Sequence, residues 1–224
     1  VTTEAMMLPF AEHRAEGSCA WVDDDDDVVF DTSVESLRMP RAQLSLNGLH
    51  NLYNSMAAGL SACLLDVRKD AIRKALGDFE GVEHRLEYVA TVDGVRWIND
   101  SKATNVNSTW YALESMPGGE RSVVLILGGT DKGNDYSEIE PLVRQKVKAV
   151  VCMGKDNRKL MDFFAGKVEN LVDTGSLDEA VAACRRLASE GDTVLLSPCC
   201  ASFDLFKNYE NRGELFKQAV RNLR

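Results

Sequence analysis

From Val82 onward the sequence predicts a doubly wound α/β domain, and three observations carry that expectation. Apolar runs of strand length, Val123 to Leu127, Ala149 to Met153 and Thr193 to Leu196, alternate with stretches of helical periodicity, the rhythm of strands joined by crossover helices. Ser176 and Glu179 make a capping box that starts one such helix, and Gly191-Asp192 ends it. The pair Asp93-Gly94 joins Leu86–Val92 to Val95–Ile98, a strong signal for a type I′ hairpin at the start of the domain.

The elements follow in order. Before Leu46 the chain offers short β-like pieces, 19–22 and 28–30, around the run Asp23–Asp27. That run reads as an exposed, self-repelling hairpin tip; a calcium loop would need a glycine bend and a distal glutamate, which it lacks. From Asn51 the pattern turns helical, with Leu52, Met56, Leu60 and Cys63 on one face, and a second helix spans 69–76. A new domain starts near Val82. Its helices are expected around 137–147, 157–164 and 176–189. After the last strand, Ser197-Pro198 predicts a tight turn that leads into a helix starting near Ser202.

Composition narrows the function. The chain has 224 residues, 45% of them hydrophobic and 27% charged, with a formal charge of −9 and a pI near 4.9. An acidic surface argues against a nucleic-acid partner, so any anionic ligand must meet individually placed cations. No apolar run is long enough to cross a bilayer, and the start Val1-Thr2-Thr3-Glu4 has no signal-peptide character, so a cytoplasmic location without a membrane partner is expected. Six cysteines without CxxC spacing read as reduced thiols; the Cys199-Cys200 pair reads as packing beside a turn rather than as a redox centre.

In doubly wound sheets ligands gather outside the carboxyl ends of the strands. Three segments there are chemically loaded: Asn99–Asn105, Gly128–Gly133 and Ser197–Asp204. Asp100 and Lys102 alternate on an extended segment, so the carboxylate suits hydroxyls and the ammonium suits phosphate or carboxylate oxygens; the bland alternative is a surface ion pair. Gly128-Gly129 lets backbone N–H groups approach an anion and Lys132 adds a mobile cation, although a plain glycine turn with a solvated lysine reads the same way. Ser202 and nearby N–H groups are candidates for a carboxylate. A serine nucleophile is not expected, because no G-x-S-x-G elbow exists and the lone histidines His13, His50 and His84 read as structural.

Four ordered stretches, Gly48–Asn54, Val82–Arg85, Trp97–Asn105 and Leu196–Gly213, resemble the Mur ligases, and within them those that add D-glutamate. The resemblance implies a Rossmann-like carboxyl-terminal domain over residues 82–224 that binds the incoming amino acid, preceded over residues 1–81 by the tail of an α/β ATPase domain. It implies ATP-dependent joining of D-glutamate to UDP-N-acetylmuramoyl-L-alanine through an acyl phosphate, in peptidoglycan precursor synthesis, by a monomer using Mg2+. Asn51 and Asn54 then correspond to adenine contacts, Asp100 to a ribose contact, and Arg85 and Lys102 to catalytic phosphate contacts. Thr104, Lys132, Ser202 and the backbone of Tyr209 correspond to D-glutamate contacts. No G-x-x-x-x-G-K-[ST] occurs, so the phosphate loop and the main metal ligands are expected upstream and the chain alone is expected to be inactive. The competing expectation is a non-catalytic α/β nucleotide-binding or interaction module.

Overall fold

The computed structural model describes residues 6–32, 35–46, 48–117 and 121–223, so the reading of Val1–Glu4 lies outside it. The chain forms two compact units, Val1–Gly81 and Val82–Arg224.

In the first unit, strands β1 (Phe10–His13), β2 (Ala20–Val22), β3 (Asp27–Asp31) and β4 (Ser36–Pro40) form a sheet in that order, with β1 parallel to β2 and the remaining pairs antiparallel. Helix α1 (Leu49–Leu64) buries Leu52, Met56, Leu60 and Cys63, and α2 (Lys69–Asp78) adds Ile72. The aspartate run does form the β2–β3 turn, but it is not a bare repulsive tip. Asp23 Oδ1 accepts from the N–H groups of Asp25 and Asp27, and Arg38 on β4 pairs with Asp23, Asp25 and Asp27. A cation on the strand beside β3, invisible to local reading, offsets the repulsion.

The second unit is a six-stranded sheet in the order β5 (Glu87–Val92), β6 (Val95–Asn99), β10 (Thr193–Cys199), β7 (Val123–Gly128), β8 (Val147–Met153), β9 (Asn170–Thr174). All pairs are parallel except β5–β6, whose turn residues Asp93 and Gly94 both have positive φ, 52° and 75°, as a primed hairpin needs. Side-chain alternation sorts the two faces: Val123, Leu125 and Leu127 of β7 enter one core, Val124 and Ile126 the other. Helices α3 (Val106–Ser115), α4 (Glu140–Lys146) and α5 (Arg158–Phe164) contribute to the first core, α6 (Leu177–Leu187) and α7 (Tyr209–Arg221) to the second. The change of face comes where the chain, having moved outward through β7, β8 and β9, returns to insert β10. Right-handed crossovers require that switch. The carboxyl ends of β6, β10 and β7 therefore meet at one topological switch point.

Caps fix where the helices begin. Asn105 Oδ1 accepts from Ser108 N–H at 2.8 Å to start α3, and Ser176 Oγ accepts from Glu179 N–H to start α6. The buried Lys146 ammonium donates to the carbonyls of Leu113, Glu114 and Met116, closing the far end of α3. Two expectations are corrected after β10. Ser197-Pro198 belongs to the strand, with the bend at Cys199, whose φ is 62°. The last helix begins at Tyr209, not near Ser202, because Asn208 Oδ1 caps it through Asn211 N–H at 2.8 Å while Ala201 is held extended against Thr130.

Gly59 on α1 sets two effects against each other. Alanine is favoured over glycine inside a helix by about 1 kcal/mol. A Cβ at this position would overlap the ring of Phe30, which is fully buried, and overpacking of that kind costs about 1–3 kcal/mol. Gly59→Ala should therefore lower stability in urea denaturation; a midpoint equal to or above that of the parent chain would contradict this packing.

Candidate functional site

Three loops meet at the switch point, and each is held by groups that are themselves buried. After β6, Asp100 is 6% exposed. Its Oδ2 accepts from Ser197 Oγ at 2.8 Å and its Oδ1 from Leu86 N–H at 3.3 Å. Burial pushes its carboxyl up to about 7, opposed by those two hydrogen bonds and by the Arg85 and Arg212 charges. Arg85 is exposed on the neighbouring loop, between His84 and Leu86, both at positive φ (65° and 44°). Lys102 is half-buried and its Nζ donates to Tyr209 Oη at 2.6 Å, lying 3.9 Å from that ring's centroid. Thr104, also half-buried, immediately precedes the cap of α3.

At the end of β7, Gly128 and Gly129 have φ of 131° and 127°. A Cβ at Gly128 would overlap the Met153 carbonyl and one at Gly129 the Ala201 carbonyl, so both must be glycine for three strand ends to approach this closely. Lys132 is exposed on the loop that follows. After β10, Ser202 is buried, and the adjoining residue Ala201 exchanges hydrogen bonds with Thr130, N to O at 2.8 Å and 3.3 Å. The Lys132 and Ser202 loops are thus neighbours on one edge of the sheet. An open cleft of about 940 Å3 runs beside them, lined by Gly129, Thr130, Asp131, Lys155, Lys159 and Asp204 among others. Asn51 and Asn54 lie on α1 of the first unit, three residues apart and so on one side of that helix, Asn51 half-buried and Asn54 exposed.

The residue that ties this edge together was not singled out by sequence reading. Arg212 of α7 is fully buried; it donates from Nε to Ser101 Oγ at 2.9 Å, from Nη2 to Ser101 O at 2.8 Å and from Nη1 to Cys200 O at 3.2 Å. Ser101 Oγ in turn donates to Tyr209 O at 2.8 Å. The loop after β6, the loop after β10 and the start of α7 are therefore joined through one guanidinium. Burial lowers its pKa to about 10, which leaves it charged at neutral pH. A signal existed: Arg212, Gly213, Phe216 and Val220 follow helical spacing on the buried face of α7.

Among the described residues one group has the spacing of a metal site, Glu83, His84 and Glu87. An ammonium already sits in it. Lys217 Nζ donates to Glu83 and to Glu87 Oε1, and Asn99 Nδ2 bonds to both His84 Nδ1 and Glu87 Oε2 at 2.9 Å. Its acceptors are satisfied by side-chain donors, so the donor set suits an ion network and not a Mg2+ ion, which needs several free oxygen ligands. All six cysteines are free; Cys199 and Cys200 are buried beside the bend, and burial raises both thiols, as expected of packing residues. No helix among the described residues is long and apolar enough to cross a membrane.

The family model for the Mur ligase glutamate ligase domain matches residues 84–200. A UDP-N-acetylmuramoylalanine–D-glutamate ligase from Bacteroides fragilis is 58% identical over 221 residues, 98% of this chain and 48% of that protein. One of the same description from Porphyromonas gingivalis is 52% identical over 220 residues, again 98% and 48%. The chain spans about half the length of the curated relatives it matches. Among solved structures, a UDP-N-acetylmuramate–alanine ligase from Thermotoga maritima superposes with a TM-score of 0.64 at 13% identity, over 94% of this chain and 47% of that one. A pseudomurein peptide ligase type C from Methanothermus fervidus gives 0.64 at 15% identity, over 92% and 41%. These two likenesses speak for the fold.

The raised pKa of Asp100 has a sign that can be checked. Below its usual value of 3.8 the carboxyl is protonated in both folded and unfolded chains; between 3.8 and about 7 the unfolded chain ionises while the folded chain keeps its proton. This group's stabilisation is therefore present at low pH and lost as pH rises through about 7. Asp100→Asn removes the titration, so its stability relative to the parent should rise from pH 4 to pH 8. The ceiling is about 4 kcal/mol, three units at about 1.4 kcal/mol each. Parallel pH profiles in urea denaturation would refute the assignment.

Proposed function

The chain belongs to the Mur ligase family, and on that footing we propose that it is the carboxyl-terminal part of an ATP-dependent ligase that joins D-glutamate to UDP-N-acetylmuramoyl-L-alanine in peptidoglycan precursor synthesis. The single observation that carries the reading is the Thr130–Ala201 bridge, which sets an ammonium-bearing loop beside a hydroxyl-bearing one at the switch point. A dicarboxylic amino acid needs two separated anion sites on one edge, and Lys132 and Ser202 supply them. Thr104 and the backbone of Tyr209 are assigned to the same amino acid, the Tyr209 N–H being a first-turn amide with no partner inside its helix.

The chemistry asks for stabilised oxygen charge at every stage. ATP transfers its terminal phosphoryl group to the substrate carboxylate. The D-glutamate amine attacks the acyl carbon, a C–N bond forms, the amine loses a proton and the C–O bond to phosphate breaks. Charge collects first on phosphoryl oxygens and then on the oxygen of the tetrahedral intermediate, and Lys102 and Arg85 are the cations assigned to it. Tyr209 holds the Lys102 ammonium between its hydroxyl and its ring face, which limits the wandering of a flexible chain. Asp100 suits a ribose hydroxyl, since a carboxyl titrating near neutrality can accept or donate there. Asn51 and Asn54 are assigned to adenine. Mg2+, when bound, would neutralise part of the ATP phosphate charge, and its ligands are assigned mainly to residues outside this chain. A reducing cytoplasm accords with six free cysteines.

Three measurements check this. The isolated chain should release no phosphate from ATP above buffer, whereas the full-length protein should release it only when D-glutamate and the UDP-linked acceptor are both present. In the full-length protein Lys102→Ala should cost about 2–4 kcal/mol of transition-state stabilisation with little change in melting. Lys132→Ala and Ser202→Ala should raise the D-glutamate KM far more than the ATP KM. Coupling by the isolated chain, or equal effects on both KM values, would defeat the reading.

A further inference from the structure

Lys132 can act on a carboxylate only if its loop has a fixed shape, and two glycines make that loop intrinsically loose: Gly129 and Gly133, at φ of 127° and 89°. Packing around Gly133 does not hold the tip, for a Cβ there would meet nothing within 4 Å. One carboxylate does. Asp131 Oδ1 accepts from Gly133 N–H at 2.6 Å and from Asn134 N–H at 3.0 Å, the two amides that follow Lys132. The same oxygen accepts from Lys159 Nζ at 3.1 Å, and Oδ2 accepts from Tyr136 Oη at 2.6 Å.

Each of those partners is anchored elsewhere. Tyr136 is 2% exposed, with its ring against Phe163 and Phe164 of α5. Lys159, also on α5, donates a second hydrogen bond to the Asn134 carbonyl at 2.6 Å. Asn134 Nδ2 donates to the Cys199 carbonyl at 3.0 Å, across to the strand end that leads to Ser202. The turn carrying Lys132 is thus clamped from inside by its own aspartate, from below by a buried tyrosine and from the side by α5, and it is spliced to the Ser202 loop. We infer that Asp131 is the positioning residue for Lys132, shaping the turn so that the ammonium and the Ser202 loop present themselves as one dicarboxylate-binding unit.

The four hydrogen bonds hold the Asp131 carboxyl below its ordinary range against the opposing effect of burial, so it is a charged acceptor at neutral pH. The inference rests on the proposed D-glutamate site. It goes further by naming a residue that acts through Lys132 and should control affinity for that substrate alone.

The test uses the full-length protein carrying this chain, with steady-state kinetics for D-glutamate and ATP and a thermal melt of each variant. Asp131→Ala should raise the D-glutamate KM about tenfold, with the ATP KM unchanged and kcat within about twofold. Asp131→Asn should restore most of the affinity, because its amide oxygen still accepts from the Gly133 and Asn134 N–H groups and its amide nitrogen can donate to Tyr136 Oη. Lys159→Ala, which leaves Asp131 in place, should give a smaller rise in the same KM. A purely structural role would lower the melting temperature without separating the two KM values. The inference is overturned if Asp131→Ala leaves the D-glutamate KM unchanged, if both KM values rise together, or if Asp131→Asn is as impaired as Asp131→Ala. If Lys132→Ala raises the D-glutamate KM while Asp131→Ala does not, the positioning role alone falls. If the parent protein couples no D-glutamate, the proposed function falls and takes this inference with it.

Discussion

One buried guanidinium is the constraint on which the rest of the candidate site depends. Placing a charge where no solvent reaches costs several kcal/mol unless the fork of N–H groups is matched by acceptors. Arg212 meets that condition with two backbone carbonyls and a serine hydroxyl, taken from loops that lie about a hundred residues apart in sequence. The Asp204 charge supplies further compensation at longer range. Lysine could not reproduce this geometry, since a single ammonium cannot span Ser101 and Cys200 in the plane of a guanidinium. The arrangement joins the Asp100–Lys102 segment, the Cys200–Ser202 segment and the first residue of α7 into one hydrogen-bonded body.

That body sits where topology leaves room for it. A sheet whose helices all lay on one face would have no crevice. Here the return of the chain to insert β10 between β6 and β7 sends α6 and α7 to the opposite face from α3, α4 and α5, and the loops part at the switch. Glycines at 128 and 129 then allow the ends of β7, β8 and β10 to approach within the space a single Cβ would fill. An acidic protein with a charge of −9 can bind anions at such a point because the cations are placed locally; the average surface matters less.

Much of this was legible in the sequence, for local reasons. Strand-length apolar runs such as Val123–Leu127, the Asp93-Gly94 turn and the Ser176 cap are decided by neighbours a few residues away, and each stands where it was expected. What escaped depends on distant partners. Asn208 outcompetes Ser202 as the start of the last helix because Ala201 is committed to Thr130, a contact between residues 71 apart, which no window reveals. The five-residue strand β9 lies at the sheet edge and is largely only half-buried, so its alternation is weak. Arg38 gathering the aspartate run is likewise readable only once the strands are assembled. The proposed site residues Asp100, Lys102, Lys132 and Ser202 were singled out because strand-end loops are where ligands collect; Arg212 was not, because its acceptors are two carbonyls and one hydroxyl brought to it by distant loops.

Arg212 holds two loops at once, and hydrogen exchange on an Arg212→Lys variant tests that most directly. The substitution keeps the charge and removes the fork. Protection at amides 100–104 and at amides 200–203 should fall together, while β7 and β8 keep theirs. Loss confined to one of the two loops, or a uniform loss across the whole unit, would show that the guanidinium is not the joint between them.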